Sequence, residues 1–492
     1  MTFIVDMMAQ TQEDVSVERK KTEQEQKAKP ANPKGFIRYV MLTVSIICLS
    51  SIMANIVCFN FTVLCMPGIK VPLTDILNMT LVDEKSEGFT KYERTLLFSS
   101  VAIGALVSVI PFSHFITTVG CRKMFTLAGI ITAIATGFIP QVADNNLNMF
   151  LALRFLQGIS FSACMPAVGS ITASWASLSQ NGLFMAVLTT FAQVSAIFSM
   201  PISGELCESE YGWQSIYYLH SVFCVFCFII FACIYRNTPE EHPWISVEEI
   251  EFIAAGKKVR IPEKGEEPTG IPYLSIMTTP SVWGVWVGAL GDLIAIQLIH
   301  TFSPLYMRQV LQYSVHKTGF AAALPVLMQF FVKVFAGHTS DRITQVSETT
   351  KLRIYNTIAL GASALFMIAL AFVTKGQSTA GIVLISLTTA MFGFNGGGFN
   401  KCATLVSRQY SPFVLGNVQF IWCIAMLFCP ILVSLLLQTG DVSEWRLVYL
   451  VHAAILLLSN LFFCLVATAK PAPWTDNSIR PSSKKNTPLY VA

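Results

Sequence analysis

The chain has 492 residues, 53% of them hydrophobic and only 13% charged, with a net charge of +4 and a mean hydropathy of +0.58. A water-soluble domain carries about 25% charged residues, so this composition excludes a soluble enzyme. No run of basic residues calls for a nucleic-acid partner, and the partner expected is a lipid bilayer.

The first 35 residues are polar, with runs such as Glu18-Arg19-Lys20-Lys21, and contain no apolar signal-peptide core. They read as a disordered cytosolic tail, which leaves the first apolar span as its own insertion signal. Twelve apolar stretches follow, at 36–66, 95–118, 124–142, 148–176, 182–206, 213–235, 281–307, 318–339, 352–374, 379–399, 413–438 and 445–469. Most approach or exceed the roughly 20 residues that cross the hydrocarbon of a bilayer. The predicted architecture is therefore an all-α membrane protein of twelve transmembrane helices. An N-terminal six-helix bundle (36–235) and a C-terminal one (281–469) are divided by a cytosolic loop (236–280), and a cytosolic tail follows from 470 to 492.

With the N-terminus in the cytoplasm, 23 Lys and Arg fall on the cytoplasmic side and 8 on the other, with Arg154 and Lys333 inside spans. The positive-inside rule then places both termini in the cytoplasm. Asn78-Met79-Thr80 in the first outer loop matches an N-glycosylation acceptor on the lumenal or extracellular side. The 13 cysteines sit mostly within apolar stretches and do not read as a disulfide framework. Cys224 and Cys227 have C-x-x-C spacing but no second pair or histidine spaced for a metal. No cofactor is expected, and no catalytic constellation is evident.

An ionisable side chain inside a span usually faces the bundle interior or a water-filled cavity. Arg154 in span 4 starts a stripe with Gly158 and Ser162 on one helix face. It can grip an oxyanion bidentately, or pair with a carboxylate on another helix. Asp292 in span 7 follows Gly288 and Gly291. It can bind sodium or a proton, face a cationic substrate, or pair with Arg154 or Lys333. Lys333 in span 8 can hold an anion, neutralise Asp292 or snorkel to the interface. Asn55 in span 1 and Gln297 in span 7 are further polar groups for a central cavity. His300, His220 and His452 read as interfacial side chains rather than titrating groups.

Span 8 ends in Gly337-His338-Thr339-Ser340-Asp341-Arg342, matched in the first half by Val119-Gly120-Cys121-Arg122-Lys123 after span 2. Both junctions are short, basic and cytoplasmic, as in transporters whose two halves rock about a central site. Gly337 would let helices approach, and Asp341 and Arg342 would belong to a cytoplasmic gate. Span 10 ends in Gly393-Phe394-Asn395-Gly396-Gly397-Gly398-Phe399-Asn400, which suggests a bent or unwound helix, close helix packing, or both.

The G-x-x-S-D-R sequence after span 8 resembles the signature loop of the major facilitator superfamily. The central-loop sequence from Pro239-Glu240-Glu241-His242-Pro243-Trp244-Ile245-Ser246 to Ile271-Pro272-Tyr273 is similar to its anion/cation symporter branch, which includes vesicular glutamate transporters, sialin and type I sodium–phosphate cotransporters. Arg154-Phe155-Leu156-Gln157-Gly158, Gly398-Phe399-Asn400 and Glu444-Trp445-Arg446 extend the resemblance. It implies a twelve-helix alternating-access carrier of small anions, coupled to sodium or protons, with a transport role for Arg154. Several positions depart from the pattern. The family's span 4 acid matches Phe161 and a nearby histidine matches Gly169. The first signature loop has Thr117 for its Asp, and a substrate arginine matches Asp292. The His and Asp of glutamate carriers match Ala403 and Leu405, and the span 1 arginine is missing beside Asn55 and Asn60. The expected function is secondary active transport of a small anion other than glutamate, by a protein working as a monomer in a plasma, vesicular or lysosomal membrane. The rival reading is a non-transporting receptor or sensor on the same scaffold.

Overall fold

The computed structural model describes residues 35–66, 89–177, 180–255, 272–343 and 345–475, apart from a few side chains within them. The N-terminal tail up to residue 34, the Asn78 sequon, the C-terminal tail from residue 476 and the side chains of Thr117, Asp341 and Arg342 lie outside the described residues. Among the described residues twelve helices are long and apolar enough to cross a membrane, and no strand occurs. Spans 1 to 6 are Ile37–Thr62, Lys91–Ile116, Cys121–Val142, Leu147–Trp175, Leu183–Glu208 and Gln214–Ile234. Spans 7 to 12 are Pro280–Gln309, Lys317–Gly337, Glu348–Ala371, Ser378–Ser407, Phe413–Leu436 and Val442–Val466. Span 10 runs eight residues past its apolar stretch. The helix restarts at Phe399, and its polar Lys401 is held by Ser340 Oγ at 3.1 Å and Glu348 at 3.7 Å, so hydropathy falls where the helix does not.

Helix packing repeats between the halves. Spans 2 and 4, 3 and 6, and 1 and 5 pack in the first bundle, and spans 8 and 10, 9 and 12, and 7 and 11 in the second. The bundles meet through span 5 on span 8 and span 2 on span 11, which are equivalent pairs under the same repeat. Without a hydrophobic drive between helices in lipid, small residues set these contacts. A Cβ on Gly158 would run into the carbonyl of Val101, and one on Gly104 into the carbonyl of Phe155, so spans 2 and 4 touch backbone to backbone. Gly393 does the same in the second half, where a Cβ would lie 2.7 Å from the backbone nitrogen of Lys333. Gly337, by contrast, has nothing within 4 Å of a Cβ. The close helix approach expected of it does not occur here.

Call the end where span 1 begins the near end, and the other the far end. At the far end the bundles touch. Asn60 Nδ2 donates to the carbonyl of His300 at 3.3 Å, Lys91 Nζ donates to Gln438 at 3.2 Å, and Phe98 meets Phe302 edge to face. The cavity left there, lined by Arg94, Phe98, Phe302 and Leu437, holds only about 30 Å³. That is room for about one water, so the described residues leave little space between the bundles there.

One disulfide, Cys65–Cys207, ties the far ends of spans 1 and 5, and the other eleven cysteines are free. The cysteine pattern, which did not read as a disulfide framework, did not single out this pair. The partners stand 142 residues apart, and only the packing of span 1 on span 5 brings them together.

At the near end the central loop folds back onto span 1. Ser246 caps a short helix, Val247–Ala254, and its Glu249 is fully buried beneath the start of span 1. Glu249 accepts from the backbone of Arg38 at 3.1 Å and Ile37 at 3.4 Å, and from Arg38 Nη1 at 3.1 Å. The Arg38 guanidinium also donates to Gln180 at 3.0 Å and lies 4.9 Å over the Phe252 ring. An acid at a helix N-terminus and a buried ion pair thus share one carboxylate.

Candidate functional site

Two buried polar centres lie within the spans, one in each bundle. In the first, Arg154 is 1% exposed. Its Nη1 donates to the carbonyl of Ile56 at 3.3 Å and to Gln157 Oε1 at 2.7 Å, and its Nε to the carbonyl of Leu97 at 3.3 Å. The guanidinium rests 4.6 Å over the Phe59 ring. Gln157 is positioned in turn, donating to the Asn55 carbonyl at 2.9 Å and to Thr136 Oγ1 at 2.8 Å. Among the described residues no carboxylate pairs with Arg154, which sets aside a structural salt bridge to another helix and to Asp292. Asn55 is fully buried beside this centre, its side chain against the Cys224 thiol.

In the second bundle Asp292 is fully buried. Its Oδ2 accepts from Asn395 Nδ2 at 2.9 Å, while its Oδ1 has no hydrogen-bond partner. Asn395 comes from the glycine run, where span 10 breaks. A helix ends at Met391, Phe392–Gly397 winds as a 3₁₀ turn, and Phe399 starts a new helix. The expectation of a bent helix and that of close packing both hold, since Gly393 lies on span 8 while Gly396 faces open space. Span 9 is irregular at the same place, with a π-helical stretch from Thr357 to Ala362. Such bulges are frequent at functional sites. The two irregular segments pack on each other, and Asn356 Nδ2 donates to Asn460 at 3.0 Å, leaving the Asn356 Oδ1 buried and unpaired.

Lys333 is half-buried and within electrostatic reach of Asp292, but no ion pair within 4.0 Å joins them. Gln297, one turn beyond Asp292, donates to Thr301 at 2.6 Å within its own helix. Thus Asp292 and Lys333 come together, while Arg154 and Asn55 form a separate centre. Asn395 and Asn356 were missed by sequence reasoning; for Asn395 an asparagine beside glycines inside an apolar span was the available signal, and for Asn356 there was none.

The histidines are not interfacial. His300 is buried, and its carbonyl accepts from Asn60 of the other bundle. His220 and His452 are buried with Nδ1 2.8 Å from the carbonyl one turn back, at Ile216 and Val448. That local bond satisfies one ring nitrogen without solvent, so the ring can be buried. Phe161 packs edge-on against Trp422 at 5.2 Å across the bundle interface.

The chain is 24% identical over 381 residues to sialin from Ovis aries, covering 77% of this chain and 76% of that one. It is 23% identical over 442 residues to vesicular glutamate transporter 2.1 from Danio rerio, covering 87% and 74%. Among solved structures it resembles a bacterial homologue of the human lysosomal transporter Spinster, inward-facing and occupied, with a TM-score of 0.64 at 12% identity, covering 88% of this chain and 97% of that one. The inward-open xylose transporter XylE from E. coli gives 0.63 at 13% identity, covering 86% and 95%. At such identities the structures speak for the fold alone. These relatives are transporters, not enzymes. The Major Facilitator Superfamily model matches residues 49–406, well over half of the chain, and the protein belongs to that superfamily as a multi-pass membrane transporter.

Proposed function

We propose that the protein is an ion-coupled, alternating-access carrier of a small anion other than glutamate. The observation that carries this reading is Arg154, a buried guanidinium held by carbonyls and an amide, with no carboxylate partner among the described residues. A positive charge placed in this way inside a membrane is a seat for an anionic group. Asn55, fully buried beside it, is a second polar group for substrate. Asp292 serves as the coupling-ion or counter-charge group, with Lys333 and Gln297 as polar groups of the second bundle. Gly337, Asp341 and Arg342 belong to the near-end gate.

The near end is cytoplasmic in this reading. The Lys and Arg asymmetry supports that orientation, as does a disulfide at the far end, since disulfides persist in oxidising compartments. Asn78 is then available for glycosylation, and the protein works as a monomer in a plasma, vesicular or lysosomal membrane. Glutamate is disfavoured because Asp292, Ala403 and Leu405 stand where glutamate carriers have cationic or polar groups.

The test is uptake by proteoliposomes from a panel of radiolabelled small anions, with sodium and pH gradients imposed separately. Flux of one anion driven by one gradient, lost in Arg154→Ala and weakened in Arg154→Lys, is the expected result. Ligand binding without flux across the whole panel would show a receptor instead.

A further inference from the structure

The second polar centre carries more than a general coupling role. A carboxylate taken out of water needs hydrogen bonds to its oxygens and a compensating charge. Asp292 has one neutral hydrogen bond, from Asn395 to Oδ2, and a bare Oδ1. The cation in reach, Lys333, makes no ion pair with it and no hydrogen bond of its own among the described residues. The 3₁₀ segment of span 10 that carries Asn395 departs from the regular carbonyl ladder, and the π segment of span 9 packs against it. An unsatisfied anionic oxygen beside irregular backbone is the setting in which transporters take a hard monovalent cation.

The geometry points to a sodium-sized monovalent-cation site at Asp292 Oδ1, with Asn395 as the positioning residue on Oδ2 and Lys333 as a nearby positive charge that competes with the cation for the carboxylate. One carboxylate is neutralised by one positive charge, so the ion and the ammonium are alternatives. With the ion bound, the Lys333 charge is available to an anionic substrate. Cation and anion then bind together, as symport requires. The span 10 break is part of the device, because it aims Asn395 at Asp292.

The coupling half of this inference rests on the carrier reading, whereas the cation site does not, so the test is binding rather than flux. The purified full chain in detergent is titrated with sodium at fixed pH, with choline holding ionic strength constant, and its melting temperature is followed. The wild type gains stability saturably with sodium, and Asp292→Asn loses the response. Lys333→Met saturates at sodium concentrations lower by about tenfold or more, the effect of removing one competing charge at close range. Asn395→Ala shifts the midpoint upward. An absent sodium response in the wild type, a retained one in Asp292→Asn, or an unmoved midpoint in Lys333→Met overturns the proposal. If Asp292→Asn does not fold, Lys333→Met against wild type decides alone. A sodium response without uptake of any anion would leave this site standing and defeat the carrier reading, and the reverse result would defeat only the site.

Discussion

Glu249→Ala tests how firmly the central loop is bound to span 1. The carboxylate is fully buried and accepts from the Arg38 side chain and from two backbone amides at the start of span 1. Removing one partner of a buried ion pair costs about 3–5 kcal/mol, because the remaining charge loses its compensation. The two amide bonds add about 1 kcal/mol each when taken singly. Part of this is one effect counted twice, since the same oxygen serves Arg38 N and Nη1, so about 4 kcal/mol is the working value. For a bundle of roughly 200 residues, that is a fall in melting temperature of about 8–16 °C. Thermal unfolding of the detergent-solubilised chain, followed by size-exclusion fluorescence, reads it directly. Glu249→Gln keeps an acceptor and should lose less. The double variant Arg38→Ala, Glu249→Ala should lose less than the sum of its singles, with a coupling energy in the range of about 0.5–3 kcal/mol. A fall of under about 2 °C for Glu249→Ala, or strict additivity in the cycle, would refute the clamp.

Three further outcomes follow from the packing. Gly158→Ala should destabilise by about 1–3 kcal/mol, since its Cβ meets the Val101 carbonyl, while Gly337→Ala stays within about 0.5 kcal/mol because nothing lies within 4 Å of it; paired melting curves compare the two. Cys207→Ser frees the Cys65 thiol at the far end, so intact cells should take up a membrane-impermeant maleimide that leaves the wild type unlabelled there; equal labelling would argue against the bond or the orientation. His242 is buried against Trp175, and burial followed by the nearby Arg236 holds its pKa below the usual value. A histidine depressed in the folded state contributes stability that is complete above its unfolded pKa of about 6.5 and is lost as pH falls below it. The melting temperature should therefore drop on acidification through that window, and less so in His242→Gln.

Much of the architecture could be read along the chain. Span 1 is visible because 26 consecutive helical residues carry almost no charge, and the bend in span 10 because so many glycines stand together. The special character of Arg154 and Asp292 is visible because ionisable groups inside apolar runs are rare. The continuation of span 10 to Ser407 escaped, since Asn400 and Lys401 lower the local hydropathy while Ser340 and Glu348 satisfy the lysine in space. Arg38 counted as one more cytoplasmic charge, because its partner lies 211 residues away. Cys65 and Cys207 looked like small hydrophobes for the same reason.

The sequence by itself determined how many times the chain crosses the membrane, where it divides and which ionisable groups lie within the spans. Hydrophobic length and charge are local properties, and a bilayer acts on each span separately. Only the tertiary structure decided which of those groups meet. It placed Arg154 among carbonyls without a counter-ion among the described residues, set Asp292 against Asn395 and within reach of Lys333, and joined the bundles at the far end through Asn60 and His300. Those pairings depend on which helix faces which, and that is fixed by glycines that admit a neighbouring backbone tens or hundreds of residues away.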